Sequence, residues 1–263
     1  MDTTPGFPTA LADVAPWQDL SAANLAAFWE SLVRPMDRRR IHWDDAWAVD
    51  PGCANPFPNS ATLLRSLAEA DAGDLAARLN GFYGAASGGP WMLWSAWPTP
   101  DLGPWGFHLA GHPPLMVRLP GGEPPSAPPE LRIVEVHDAA TLVDAERALI
   151  EGYPAPELQP FRPGALWDTR ILGGPLRIWV GYAGDLPVTT GMAYTDERVT
   201  GVYVIATLEQ ARGRGYGAAI TARCMSVDPA KPAVLQASDL GQPVYRRLGF
   251  VEVARYTLWF RPR

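Results

Sequence analysis

Arg212, Gly213, Arg214, Gly215, Tyr216 and Gly217 fill six consecutive positions. They follow a strand-like run, "GVYVIAT", and stand at the mouth of an apparent helix, "GAAITARCMSV". Three chemistries suit such a loop. A plain surface turn needs only the glycines. A dinucleotide fingerprint also fits, since Gly213, Gly215 and Ala218 match G-x-G-x-x-G/A and Asp239 lies about 20 residues on. That fingerprint follows its strand directly, however. Here residues 208–212 intervene, and too little chain follows Asp239 for a doubly wound sheet. The third reading is a phosphate cradle. The first turn of a helix has amides with no internal partner and carries the positive end of the helix dipole. Glycine lets an anion approach that backbone, and Arg212 and Arg214 add charge. The loop reads as built for a pyrophosphate.

The elements that must hold this loop alternate along the chain. "LRIVEVHD" reads as a strand and "AATLVDAERALIEGY" as an amphipathic helix. "LRIWVGYAGD" and "VTTGMAYTDE" form a hairpin around Gly184 and Asp185, and "GVYVIAT" is a third strand. After the loop and its helix come the strand "AVLQAS", the short helix "PVYRRLG" and the strand "FVEVARYTLWF". The order is β-α-β-β-β-α-β-α-β, an α/β pattern with a mixed sheet. "LPGGEPPSAPPE", residues 119–130, reads as a linker, because proline and glycine erase all periodicity. Before it, "NLAAFWESLVRPM" and "SATLLRSLAEADAGDLAARLNGFYG" read as helices, and "PWMLWSAW" and "FHLAGHPPLMVRL" as strands. The resulting division is a Trp-rich part over 1–118, the linker, and a catalytic part over 131–263.

Residues 212–217 resemble the [Q/R]-x-x-G-x-[G/A] signature of the GNAT acetyltransferase superfamily. "LQASDLGQPVYRRLGF", residues 235–250, is similar to that family's fifth strand and fourth helix, with its Y-x-x-L-G-F ending. The resemblance covers the C-terminal half and implies a GNAT fold using acetyl-CoA or another short acyl-CoA. By the same resemblance, the pantetheine arm lies between splayed strands near Ile205, Ala206 and Thr207. The pyrophosphate rests on residues 213–217, Tyr245 is the general acid, and an amide near Ile205 stabilises the oxyanion. Two departures stand out. Ser238 occupies the position where many members carry a CoA-contacting Asn. No Glu stands on "GVYVIAT" to deprotonate the amine, which leaves Asp196, Glu197, Asp239 or ordered water. The N-terminal half suggests a degenerate second copy of the same fold, making the chain a tandem; an unrelated lid is the alternative.

The acceptor expected is a small primary amine. Tyr153, Phe161 and Trp167, in the loop "EGYPAPELQPFRPGALW", can wall a pocket, and Glu151 and Glu157 can attract an ammonium group. Tyr203 and Asp239 are further candidates. The rival function is a GNAT-like CoA-binding protein without transfer, and a third is O-acyl transfer. His108 and His112 share a strand face by the period of two, but no third ligand accompanies them, so no metal is expected. His42 and His137 have no partners in sequence. Trp91 should share a face with Leu93, with Trp94 opposite.

Composition bounds the rest. The net charge of −6 argues against nucleic acid as a partner. No apolar stretch is long enough for a membrane span, so no membrane partner is expected. Cys53 and Cys224 alone make neither a disulfide framework nor a metal site. The first residues lack the pattern of a signal peptide, so the expected location is cytoplasmic. Oligomeric state, monomer or homodimer, is not legible.

Overall fold

Helix α1 (Ala15–Val33) carries Pro16 in its first turn, where a missing N–H costs nothing. Ten of its 19 residues are buried, spread over more than half of the helix circumference. Such a helix must lie between two layers rather than on a surface. The structure, a computed structural model, describes residues 14–85, 89–153 and 155–262. The extreme N-terminus, read above for a leader, lies outside them.

One layer is a six-stranded sheet built from β1 (Arg39–His42), β2 (Ala46–Asp50), β3 (Ser60–Leu63), β4 (Trp91–Ser95), β5 (His108–Gly111) and β13 (Thr257–Arg261), in the order β1-β2-β3-β4-β13-β5. Helix α2 (Ala72–Gly84) covers its outer face, with Leu75, Leu79 and Tyr83 in one cluster with Trp91 and Leu93. Met92 and Trp94 point the other way, into the cluster that contains Phe28 and Trp29 of α1. The tryptophans of β4 thus alternate as the period of two requires.

The other layer is a seven-stranded sheet of β6 (Pro114–Arg118), β7 (Leu131–Glu135), β8 (Leu176–Ala183), β9 (Leu186–Thr195), β10 (Thr200–Thr207), β11 (Ala233–Gln236) and β12 (Val251–Arg255). Its order is β12-β6-β11-β10-β9-β8-β7. Three helices attend it: α3 (Ala139–Gly152), α4 (Tyr216–Met225) and α5 (Gln242–Arg247). The β8–β9 hairpin closes where expected, with Ala183 paired to Leu186 and Gly184 at φ 61°.

The main departure from the sequence reading is an exchange of strands. "FHLAGHPPLMVRL" breaks at Gly111 to Pro113: β5 stays in the first sheet, whereas β6 crosses into the second, between β11 and β12. "FVEVARYTLWF" breaks at Tyr256, and β13 crosses back between β4 and β5. Each break releases a strand edge to the opposite half. Tyr256 itself is fully buried and bonds Ser21 of α1 at 2.8 Å. A second departure is β3. Residues 60–63 read as the start of a helix, but all four are buried in a strand between β2 and β4. Burial on both faces removes the alternation that would mark a strand.

The exchange should make the halves unfold as one. Trp259 of β13 is 6% exposed, and its indole donates to Thr99 at 2.8 Å. Trp259→Ala should cost about 3–5 kcal/mol. In urea, circular dichroism should still show a single transition, moved to lower denaturant. Two separated transitions would contradict the coupling.

Candidate active site

The glycine loop has the geometry its composition suggests. Gly213 and Gly215 have φ of 77° and 82°, a region that favours glycine. Gly215 is the N-cap of α4; no side chain caps that end and no acid lies in its first turn. The positive pole of α4 is therefore open, while Arg223 complements the negative pole. A Cβ at Gly217 would sit 3.3 Å from the Thr207 hydroxyl, and one at Gly213 would meet nothing within 4 Å. The linker passes beside the loop. Pro128 would lie 3.5 Å from a Cβ at Gly215, and the Tyr216 hydroxyl donates to Glu130 at 3.2 Å.

The second feature is a splay. β10 and β11 run parallel and pair only at Thr200–Ala233 and Gly201–Val234. Beyond those pairs the strands part. Val204 has φ 56°, a strained value for a β-branched residue, and the β10–β9 register shifts between Tyr203 and Ala206. The turned backbone faces the gap. Gly201 is required at the last pair, since a Cβ there would fall 2.0 Å from the Asn24 amide oxygen and 2.3 Å from the Tyr203 ring.

The gap opens into a cavity of about 190 Å³. Its walls come from both halves: α1 and the 51–58 loop on one side, β10, β11, α3 and Tyr245 of α5 on the other. Phe28 stacks on Tyr203 at 4.2 Å, and Tyr203 donates to Asn24 at 2.7 Å. Gln236 donates to Ser21 at 2.9 Å, so α1 is bonded to both splayed strands.

Solved structures share this architecture. A GCN5-related N-acetyltransferase from Kribbella flavida matches with a TM-score of 0.64 and 22% identity, over 93% of this chain and 96% of that one. Another from Sphaerobacter thermophilus matches with a TM-score of 0.52 and 13% identity, over 82% and 76%. A tandem GNAT protein from the clavulanic acid biosynthesis pathway matches with a TM-score of 0.50 and 12% identity, over 92% and 94%. The chain has a two-domain GNAT fold. No family model and no curated protein matches the sequence. Because the tandem protein's match covers nearly the whole chain, both halves fall within the GNAT architecture.

Within the GNAT fold the expected residues fall into three groups. Ile205, Ser238, Tyr153, Trp167, Tyr203 and Tyr245 line the cavity. Ser238 also accepts from the Gly241 amide at 3.2 Å. Ala206 and Thr207 continue β10 toward the loop, where Arg214 and Tyr216 flank Gly215. Arg212 is tethered within the fold. Its guanidinium donates to the carbonyls of Thr207 at 3.2 Å and Gly152 at 3.0 Å, tying β10 to the end of α3.

The acidic candidates lie away from the cavity wall. Glu151, Glu197 and Asp239 are exposed and outside the lining. Asp196 caps its own turn by accepting from the amides of Arg198 and Val199, and it holds Asn24 at 2.7 Å. Glu157 accepts from Asn55 at 3.2 Å, and Phe161 packs under Arg147. His108 is exposed, and His112 bonds the Tyr256 carbonyl at 3.3 Å. Among the described residues no cluster suits a metal, and no helix is long and apolar enough to cross a membrane.

Sequence reasoning missed two supports. Glu146 is 1% exposed and accepts from the amides of Gly164, Leu166 and Trp167 at 2.7, 2.6 and 3.1 Å. It fixes the loop that carries Trp167, and its place on the apolar face of α3 was the available signal. Asn24 carried no signal, because its partners lie 170 to 179 residues away.

Gly217→Val should fill the cradle without breaking the fold, since its nearest neighbour is one hydroxyl. Calorimetry should show acetyl-CoA binding weakened by at least about a hundredfold, with unchanged circular dichroism. Unaltered affinity would remove the loop from the binding site.

Proposed function

We propose that the protein is an acyl-CoA-dependent N-acyltransferase, with acetyl-CoA or another short acyl-CoA as donor and a small primary amine as acceptor. The observation that carries this reading is that β10 connects three features. Its parted segment, residues 202–205, lines the cavity with Tyr245, and Thr207 at its end lies beside the open amide end of α4, 3.3 Å from where a Cβ of Gly217 would stand. The 213–217 amides and glycines suit a pyrophosphate. The backbone of residues 202–207, freed from β11, suits a pantetheine amide. We assign cofactor binding to residues 131–263 alone, because the N-terminal half has no counterpart of the glycine loop.

Acyl-CoA, when bound, would supply a thioester whose carbonyl carbon takes the acceptor nitrogen as the C–S bond breaks. The protein's part is alignment, which can account for much of the acceleration. Tyr245 is 8% exposed, and burial pushes its phenol well above the usual tyrosine range. It therefore stays protonated, and its role is to deliver a proton at the departing sulfur. Cys224 is fully buried, and burial raises its thiol, so it is no nucleophile. Cys53 and Cys224 are both free, which agrees with a reducing, cytoplasmic location.

A CoA-binding protein without transfer is the second reading. The lack of a carboxylate among the described residues of the cavity wall favours it. Thiol release from acetyl-CoA with an amine panel separates the two.

Tyr245→Phe should lower kcat by about a hundredfold while leaving acetyl-CoA affinity unchanged. The wild-type kcat should stay flat on the alkaline side to about pH 10. A donor with a raised pKa is lost only as pH climbs through that raised value. A wild-type rate in the variant, or an alkaline fall near neutrality, would exclude Tyr245.

A further inference from the structure

Among the described residues, none that lines the cavity is charged. Leu25, Leu32, Met36, Leu149, Ile150 and Leu166 are among its aliphatic residues, with Trp29, Trp94 and Trp167 among the rings. Its titratable groups are three phenols: Tyr153 from the end of α3, Tyr203 from β10 and Tyr245 from α5. Five nearby acids are engaged outside the wall, and Glu151 and Asp239, next in sequence to the lining residues Ile150 and Ser238, are exposed to solvent. On α1, Glu30 lies 3.2 Å from His42 and 3.6 Å from Arg40. Asp196 holds Asn24, Glu157 holds Asn55, and Glu146 holds three amides of the 164–167 segment. Asp50, below the 51–58 loop, pairs with Arg39 at 3.3 Å. Behind Gln236 and Ser21 stands the phenol of Tyr256.

An ammonium ion entering this space would lose its hydration and find no carboxylate to replace it. Among the wall's rings, Phe28 and Tyr203 stack face to face at 4.2 Å, whereas Phe28–Trp29 at 5.0 Å and Trp94–Phe57 at 6.1 Å are tilted. The faces of Phe28 and Tyr203 are thus turned to each other rather than to a cation.

We propose that the acceptor enters the cavity already neutral, as an amine with an aromatic or branched apolar body and no other charge, and that no side chain of the site deprotonates it. This rests on the acyltransfer reading above. The proton count supports it. A neutral amine forms one C–N bond, the C–S bond breaks, and one N–H proton is surplus while one sulfur needs a proton. Tyr245 gives its proton to the sulfur and regains one from the nitrogen once the C–N bond has formed, so the balance closes with no base acting on the acceptor before attack. A charged acceptor would bring one more proton, and the wall has no group to take it. The missing strand carboxylate is then a property of the acceptor class rather than a defect. The ammonium form gives its proton to bulk buffer before entry.

Trp29, Trp94 and Trp167 make binding readable by intrinsic fluorescence without any acyl donor. The probes are 2-phenylethanol, which is always neutral, 2-phenylethylamine, which is cationic at pH 7, and spermidine. The alcohol should bind at least about tenfold more tightly than the amine at pH 7, with no pH dependence. The amine's apparent Kd should fall about tenfold per pH unit until its own pKa is approached. Spermidine should not bind. Met36→Glu, at a half-buried wall position, should reverse the preference, and Met36→Gln should not. Tighter binding of either cation than of the alcohol to the wild type would overturn the proposal. Acetyl-CoA calorimetry on the same sample keeps the two claims apart. Failure there sinks the acyltransfer reading, whereas cation preference with intact acetyl-CoA binding sinks only the neutral-acceptor inference.

Discussion

The parting of β10 from β11 is the constraint on which the rest depends. A parallel pair normally continues until one strand ends, because each lost ladder bond leaves backbone groups unpaired. Here it stops after two register pairs. Val204, in left-handed backbone, turns the strand, and Gly201 admits Asn24 and Tyr203 at the fork. The cost of that geometry falls on backbone groups that face the gap. A ligand with amides of its own is the natural way to satisfy them.

Holding the fork open takes both halves. α1 reaches β10 through Asn24 and Phe28, and reaches β11 through Ser21 and Gln236. α1 is in turn fixed by burial between two sheets that exchange strands, β6 in one direction and β13 in the other. The N-terminal half thus acts on the site without a phosphate loop of its own. It supplies the far wall of the cavity and the wedge that keeps the strands apart. The Tyr153 ring, edge-on to Phe57 at 6.0 Å, closes the same seam from the other side.

Local features of this arrangement were legible in the sequence. The 212–217 loop announced itself because positive φ and open amides demand glycine, and Gly184 marked its hairpin for the same reason. Trp91, Leu93 and Trp94 revealed their faces through simple alternation. What failed to show was non-local. Nothing in "HLAGHPPLMV" distinguishes a strand that continues from one that changes sheets, since His112 and Pro113 would also suit a bend. β3 hid because burial on both faces makes residues 60–63 resemble the start of the next helix. The expected attraction of Glu151 and Glu157 for an ammonium group came from their place in the loop after α3, where Glu151 is exposed and Glu157 accepts from Asn55.

The central claim is that a single cradle, running from the fork of β10 to the open end of α4, holds the acyl donor. Hydrogen–deuterium exchange with and without saturating acetyl-CoA tests it most directly. Slowed exchange over residues 202–218, with no change over 39–50, is the predicted result. With the ligand independently shown to be bound, unchanged exchange over 202–218, or protection centred in the N-terminal sheet, would contradict the account.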